Sequence, residues 1–372
     1  MNLVIIGTGM AGYTLAREVR KKDPLARITL ITRDNGDSYS KPMLSNALAV
    51  GKSPEQLILS PAAKMAAQYD LQVLVQTQVT GIDRDRQQVL TDQGPVDYDQ
   101  LVLAWGAEQL HLPTAGDGAD QVVRVNQIHD YQLFRERLAK ADRVAIIGPG
   151  LIGCEFANDL LHADKQVTVI GPDPWPLASL LPETAGRFVE QKLTAAGVQW
   201  QLGQTVARID QAKAGFTLTL SDDQHLEVDL VLSAVGLRPN VDLASAAGLT
   251  VSRGIVVNPL GQTDDPRISA LGDCAQYGER WLPYIMPIMH AARALAATLT
   301  GTPTDIVFPL MPVAVKTPAV PISLVPAPPG ARWSFIEQDE GLVGRAKLDE
   351  RTVGFVLLGP QTLRQSLVKE LS

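Results

Sequence analysis

Two stretches of this chain repeat one pattern of apolar and glycine positions. "LVIIGTGMAGYT" (residues 3–14) and "VAIIGPGLIGCE" (residues 144–155) each run from a short apolar segment into Gly-x-Gly-x-x-Gly. In the first copy the pattern predicts a strand over 3–6, a helix from the glycine turn to about 22, and a strand over 28–31. In the second it predicts a strand over 143–147, a helix to about 163, and a strand over 166–170. Each is a βαβ unit of about 30 residues. Residues 73–106 and 206–232 then alternate apolar and polar positions between Asp/Gly turn signals, which predicts short strands. These stretches occupy equivalent places after their βαβ halves, which points to internal duplication. From about residue 309 the pattern changes. "PLMPVAVKTPAVPISLVPAPPGARW" is proline-rich yet too apolar for a disordered linker, and predicts edge strands and turns. Strand patterns follow over 333–337, 342–348 and 352–358, and a helix pattern over 361–371. The expected fold class is α/β: two Rossmann-like dinucleotide-binding domains plus a small C-terminal α+β domain.

Composition narrows the function. The length of 372 residues suits two or three domains, and 45% hydrophobic content is that of an ordinary globular chain. A net charge of -7 argues against a nucleic-acid binder. No apolar run approaches the roughly 18 residues of a membrane span. The first residues show no secretory signal pattern, so a cytoplasmic protein is expected. The two cysteines, Cys154 and Cys274, are far apart and form no Cys-x-x-Cys, so they read as buried reduced thiols.

The glycines carry a specific physical demand. The first permits a tight turn, the second lets the backbone approach a pyrophosphate, and the third lets helix and strand pack closely. The helix N-terminus then offers unpaired N–H groups and a positive dipole end to the phosphates. Two cradles, Gly7/Gly9/Gly12 and Gly148/Gly150/Gly153, therefore imply two dinucleotides.

Three further stretches complete a resemblance. "LVLAWGAEQLHLP" (101–113), "LVLSAVGLRPN" (230–240) and "TDDPRISALGDCAQY" (263–277) follow in order, and with the two turns the chain resembles the two-dinucleotide-binding-domain flavoproteins, the FAD-dependent pyridine nucleotide-disulfide oxidoreductase family. Within that family, "YSKPMLSNAL" (39–48), "PIMHAARALAATLTG" (287–301) and "MPVAVKTPAVP" (311–321) are similar to the rubredoxin-reducing branch. The resemblance implies FAD on the first cradle, NADH on the second, and a discontinuous FAD domain (1–112 and 240–308), an NAD domain (113–239) and a C-terminal domain (309–372). It implies cofactor contacts from the six cradle glycines and from Arg33, Asp34, Lys41, Pro42, Val79, Ala104, Glu155, Asp173, Gly236, Asp273 and Lys316. Asp273 would meet the ribityl chain. Lys41, Glu155 and Lys316 are the candidate catalytic residues, with Lys41 expected to pair with Glu155.

The chain departs from the family pattern in four places. Thr32 and Gly171 stand where an acid often holds the adenosine ribose, with Asp34 and Asp173 two residues later. Trp105 replaces a Thr in the first crossing, and Asn46 stands where related ferredoxin reductases carry a flavin-side Lys.

The electron path follows from what is missing. No cysteine pair is available for a dithiol relay, and residues 38–51 contain no cysteine, so electrons are expected to leave the flavin directly. Residues 171–186 contain no Lys or Arg for a 2′-phosphate, and Asp173 would repel one, which predicts NADH over NADPH. The resemblance implies rubredoxin, a small acidic one-electron iron protein, as acceptor, for instance in alkane hydroxylation or oxidative-stress defence. An acidic partner calls for a local basic face, with Arg332, Arg345, Lys347 and Lys316, and Arg17, Arg20, Lys21 and Lys22, as candidates. Two alternatives stay open: a ferredoxin reductase of an oxygenase system, and a redox-sensing flavoprotein interaction module.

Overall fold

The computed structural model describes residues 1–338 and 340–371. They divide into two compact units. The first holds Met1–Ser40, Ile58–Glu108 and Leu237–Pro309; the second holds Lys41–Leu57, Gln109–Gly236 and the chain from Leu310 onward.

The first unit is built on a parallel sheet whose strands lie in the order Ile268–Ala270, Gln100–Leu103, Asn2–Ile6, Arg27–Ile31 and Gln72–Leu74. Its central strand is apolar at consecutive positions because both faces are covered. Leu3 and Ile5 pack with Leu15 and Val19 of the helix Met10–Lys22 and with Ala291 and Leu295 of the helix Ile285–Leu299. Val4 and Ile6 pack on the other face with Val79, Val89 and Tyr98. Val79 and Val89 belong to a three-stranded antiparallel sheet, Val79–Asp83, Gln88–Thr91 and Gly94–Asp97.

The second unit repeats this plan. Its parallel sheet runs Val123–Arg124, Leu230–Ser233, Arg143–Ile147, Gln166–Gly171 and Val198–Leu202. Ala145, Ile147 and Ile170 pack on the antiparallel strands Val206–Gln211, Phe216–Leu220 and His225–Val228. The repeat reaches individual hydrogen bonds. Asp99 donates its N–H to Asn2 O and accepts the Asn2 N–H at 2.6 Å; Asp229 donates its N–H to Arg143 O and accepts the Arg143 N–H at 2.8 Å.

From Leu310 the unit adds an antiparallel sheet in the order Val313–Val315, Ile322–Val325, Arg351–Leu358, Gly341–Leu348 and Arg332–Gln338. The proline-rich stretch thus supplies an edge strand, where missing N–H donors do least harm. Val325, Val343, Phe355 and Leu357 pack on Leu367 of the helix Arg364–Lys369, and Arg345 grips Glu370 through two hydrogen bonds of 2.7 and 2.8 Å. The helix Glu183–Ala195 packs on the two long central strands. The observed architecture is the expected one: two Rossmann-like sheets and a small C-terminal α+β region.

Asp229 also accepts the Asp142 N–H at 3.0 Å and the Arg143 guanidinium at 2.7 Å, which holds its carboxyl down at about 2. A folded-state value below the unfolded one contributes stability that is present above about pH 4 and is lost as pH falls toward 2. Asp229→Asn is expected to lower stability at pH 7 by about 1–2 kcal/mol after allowance for solvent screening. In urea titrations the gap between variant and wild type should close as the pH is lowered.

Candidate functional site

Each unit contains one glycine cradle, and the two are alike in detail. Gly7 has φ +115° and Gly148 φ +112°, a region that disfavours side chains. A Cβ on Gly7 would fall on Ala104 O, and one on Gly148 would fall on Ala234 O. A Cβ on Gly12 or Gly153 would meet the carbonyl oxygen of Gly7 or Gly148. The middle glycines are different. Among the described residues nothing lies within 4 Å of where a Cβ of Gly9 or Gly150 would sit. These two residues begin the helices Met10–Lys22 and Leu151–Leu161, whose first turns carry no acidic residue and no side-chain cap. The first N–H groups of each helix therefore face open space with the dipole unopposed, and both cradles fit a dinucleotide pyrophosphate.

In the first unit, Thr32 Oγ1 donates to Asp34 Oδ1 at 2.7 Å, and the Gly36 N–H donates to the same oxygen at 2.9 Å. Thr32 thus orients the acid two residues on. Arg33 beside it is exposed. Tyr13 donates to Gly36 O at 2.5 Å, and burial, with Asp37 and Asp34 nearby, pushes its phenol up to about 12. Val79 and Ala104 are buried. Asp273 sits in the one-turn helix Gly272–Cys274, whose backbone is held by Trp281 Nε1 donating to Asp273 O at 2.8 Å. Trp105 donates from Nε1 to Asn240 O at 2.8 Å, a tie that a threonine lacks the reach to make.

In the second unit a Cβ on Gly171 would fall on the Pro149 ring. Pro149 fills the space that an acidic side chain at 171 would need, which leaves half-buried Asp173 as the nearby acid. Gly236 has φ +109° and accepts the Leu110 N–H.

The most closely connected group of side chains lies on the helix Leu151–Leu161. Glu155, Asn158 and Asp159 are 2%, 1% and 0% exposed, one above the other on a single face. Glu155 Oε1 accepts the Lys316 N–H at 2.8 Å, while Oε2 accepts Ser45 Oγ at 2.5 Å and Lys316 Nζ at 3.3 Å. Lys316 Nζ also donates to Pro42 O. Asn158 Oδ1 accepts the Ala319 N–H at 3.0 Å. Asp159 accepts the Ala49 and Leu48 N–H groups at 2.8 and 3.2 Å. Burial raises the Asp159 carboxyl above its ordinary value, against the pull of those two N–H groups. The cation on Glu155 is therefore Lys316, whereas Lys41 was expected there; Lys41 Nζ donates to Asn126 Oδ1 at 3.1 Å. Asn46 keeps Oδ1 buried and without a hydrogen-bond partner among the described residues.

The structure thus gathers Pro42, Glu155 and Lys316 around one carboxylate and places Lys41 on Asn126 in the same unit. Sequence reasoning missed Ser45, Asn158 and Asp159. The i, i+3, i+4 polar spacing in "EFAND" was visible, but it reads as a solvated helix face.

Six of the eight candidates for a basic face are already ion-paired. Arg345 is paired with Glu370, Arg332 and Lys347 with Glu350, Lys316 with Glu155, Arg20 with Asp70 and Lys21 with Glu18. Arg332 and Lys347 share the one carboxylate of Glu350, and among the described residues Arg17 and Lys22 of that set have no carboxylate in reach. Both thiols are fully buried. Cys154 donates to Pro149 O at 3.4 Å and Cys274 to Leu103 O at 3.3 Å. Burial pushes the Cys154 thiol well up and that of Cys274 to about 12.

Comparison with known proteins agrees with this geometry. Residues 1–297 match the pyridine nucleotide-disulphide oxidoreductase family, and residues 305–371 match the rubredoxin binding C-terminal domain. The chain is 46% identical to a rubredoxin-NAD(+) reductase of Acinetobacter baylyi over 98% of this chain and 96% of that protein. It is 40% identical to a nitric oxide reductase FlRd-NAD(+) reductase of Aeromonas hydrophila over 96% of this chain and 93% of that one. Among solved structures, the covalent putidaredoxin reductase–putidaredoxin complex aligns with a TM-score of 0.89 at 29% identity, covering 99% of this chain and 93% of that one.

The thiol geometry has a direct check. Thiolate, not thiol, is the nucleophile. Iodoacetamide at pH 8 is expected to leave Cys154 and Cys274 unmodified in the native protein and to label both after denaturation, read by mass spectrometry. Rapid native labelling of either would contradict the burial described.

Proposed function

This chain belongs to the pyridine nucleotide-disulphide oxidoreductase family, and on that premise we propose that it passes electrons from NADH through FAD to rubredoxin. The observation that carries the reading is the pair of open, uncapped glycine cradles, one per unit, in a chain whose C-terminal region matches a rubredoxin binding domain. Gly7, Gly9 and Gly12 would hold the FAD pyrophosphate, with Arg33, Asp34, Val79, Ala104 and Asp273 along the rest of that cofactor. Gly148, Gly150 and Gly153 would hold the NADH pyrophosphate, with Asp173 toward its ribose. Bound FAD supplies the conversion between a two-electron hydride donor and a one-electron acceptor.

The side chains then have distinct tasks. Glu155 holds Lys316, and Lys316 presents an ammonium toward Pro42. A fixed cation of this kind stabilises negative charge that develops on reduction. Lys41 supplies a second cation beside Pro42 in the sequence. The two thiols are inert by burial, which supports direct electron exit without a sulfur relay. No helix among the described residues is long and apolar enough to cross a membrane. We assign the reaction to the cytoplasm on the ground that NADH is regenerated there.

The reading has a simple test. Anaerobic NADH should bleach the yellow protein, and oxidised rubredoxin should restore the colour within the turnover time. A bleached protein that rubredoxin leaves unchanged would remove rubredoxin as the acceptor. NADH should exceed NADPH in kcat/KM by at least about tenfold, a difference of ~1.4 kcal/mol; equal values would remove the role given to Asp173.

The two cradles should also separate by mutation. Gly9 and Gly150 have φ of -69° and -78°, which any residue adopts, and space above them. Gly9→Val is expected to keep the unfolding midpoint of flavin-free protein while weakening FAD retention by at least about tenfold. Gly150→Val should retain FAD but raise KM for NADH by a similar factor. Exchanged phenotypes would reverse the cofactor assignment.

A further inference from the structure

We propose that Ser45 is a positioning residue for the Glu155–Lys316 pair, an inference that rests on the function proposed above. Ser45 is 3% exposed and follows the helical turn Lys41–Met43. Its hydroxyl has one proton and two acceptors near it, Glu155 Oε2 at 2.5 Å and Pro42 O at 3.5 Å. The shorter contact, to an ionised oxygen, takes the proton.

That choice governs where the ammonium sits. Lys316 reaches Glu155 twice, through its backbone N–H on Oε1 and through Nζ on Oε2. The backbone contact fixes one oxygen. Ser45 occupies the other at closer range, so Nζ stands off at 3.3 Å and shares its remaining donors with Pro42 O. Without the hydroxyl, Oε2 would have the ammonium as its sole donor and would draw it in, away from Pro42. Ser45 therefore sets the position of a half-exposed positive charge without itself touching the reacting atoms. The geometry is set by three parts of the chain that are remote in sequence, and although Ser45 lies within the stretch YSKPMLSNAL, nothing in that pattern gives it a role.

The experiment compares Ser45→Ala, Ser45→Thr and Ser45→Val in FAD-loaded protein. Threonine keeps the hydroxyl, and valine has the shape of threonine without it. Ser45→Ala and Ser45→Val are expected to slow anaerobic flavin reduction by NADH about tenfold, the loss of one hydrogen bond to a charged group. Both should lower the flavin midpoint potential, measured by dye-coupled dithionite titration, which involves no nicotinamide. Ser45→Thr should restore both values. Adding Ser45→Ala to Glu155→Gln should change neither further, because the serine acts through the carboxylate. Wild-type rates and potential in Ser45→Val, equal loss in threonine and valine variants, or additive effects in the double variant would each overturn the proposal. If Ser45→Ala does not retain FAD, the threonine–valine pair alone decides. Failure of wild-type protein to accept electrons from NADH would count against the proposed function, while the dithionite potentials would still decide the role of Ser45.

Discussion

Three hydrogen-bond acceptors buried along one helix hold the second unit together. A buried carboxylate is tolerated only when its lone pairs are filled. On Leu151–Leu161 the acceptors Glu155, Asn158 and Asp159 are filled by backbone N–H groups of Leu48, Ala49, Lys316 and Ala319, by the Ser45 hydroxyl and by the Lys316 ammonium. The dependence is mutual. Each of those N–H groups would be an orphan donor if the helix face were apolar, at about 1–3 kcal/mol apiece. Segments distant in sequence are thereby tied to one helix, which is why Lys41–Leu57 and the C-terminal sheet fall in the same unit as the second glycine turn.

The same helix links binding to electrostatics. It begins at Gly150, in the open cradle, and carries Glu155 five residues on. At 1.5 Å per residue the Glu155 Cα lies about 7.5 Å along the axis from Gly150. That spacing is set by a rigid element and not by a loop, the condition under which a site holds its geometry. The Glu155–Lys316 pair is partly exposed only on the lysine side, at 33%, so the charge that is presented outward is the positive one.

The duplication is deeper than the glycine pattern. Both sheets place their four repeated strands in the same order, and in both an aspartate just before the fourth strand donates its N–H to a carbonyl at the start of the first strand and accepts that residue's N–H with its carboxylate. They differ in the source of the fifth, edge strand. In the first unit it is Ile268–Ala270, which arrives after the whole inserted domain; in the second it is Val123–Arg124, which precedes the repeat. An edge position tolerates this because it pairs on one side only and can be filled from either direction of the chain. The departures from the family pattern also find local compensation. Pro149 and Gly171 fit only as a pair, and Thr32 orients Asp34.

The sequence by itself determined the two βαβ units, the antiparallel insertions and the C-terminal strands. Their signals are local: a period set by side-chain alternation, and glycines where a Cβ would strike a carbonyl oxygen within the same turn or the adjoining strand. Strand limits shifted by a residue or so, and the closing helix shortened to Arg364–Lys369 after the turn Gln361–Leu363 that follows Pro360. The tertiary structure alone decided which cation meets Glu155, and that Ser45, Asn158 and Asp159 are buried. Ser45 and Lys316 lie 110 and 161 positions from Glu155. Lysines 41 and 316 are chemically alike, and local pattern contains nothing to choose between them. The choice is made by where the C-terminal strand region lands, because a carboxylate excluded from water takes the donor that the packed backbone carries to it.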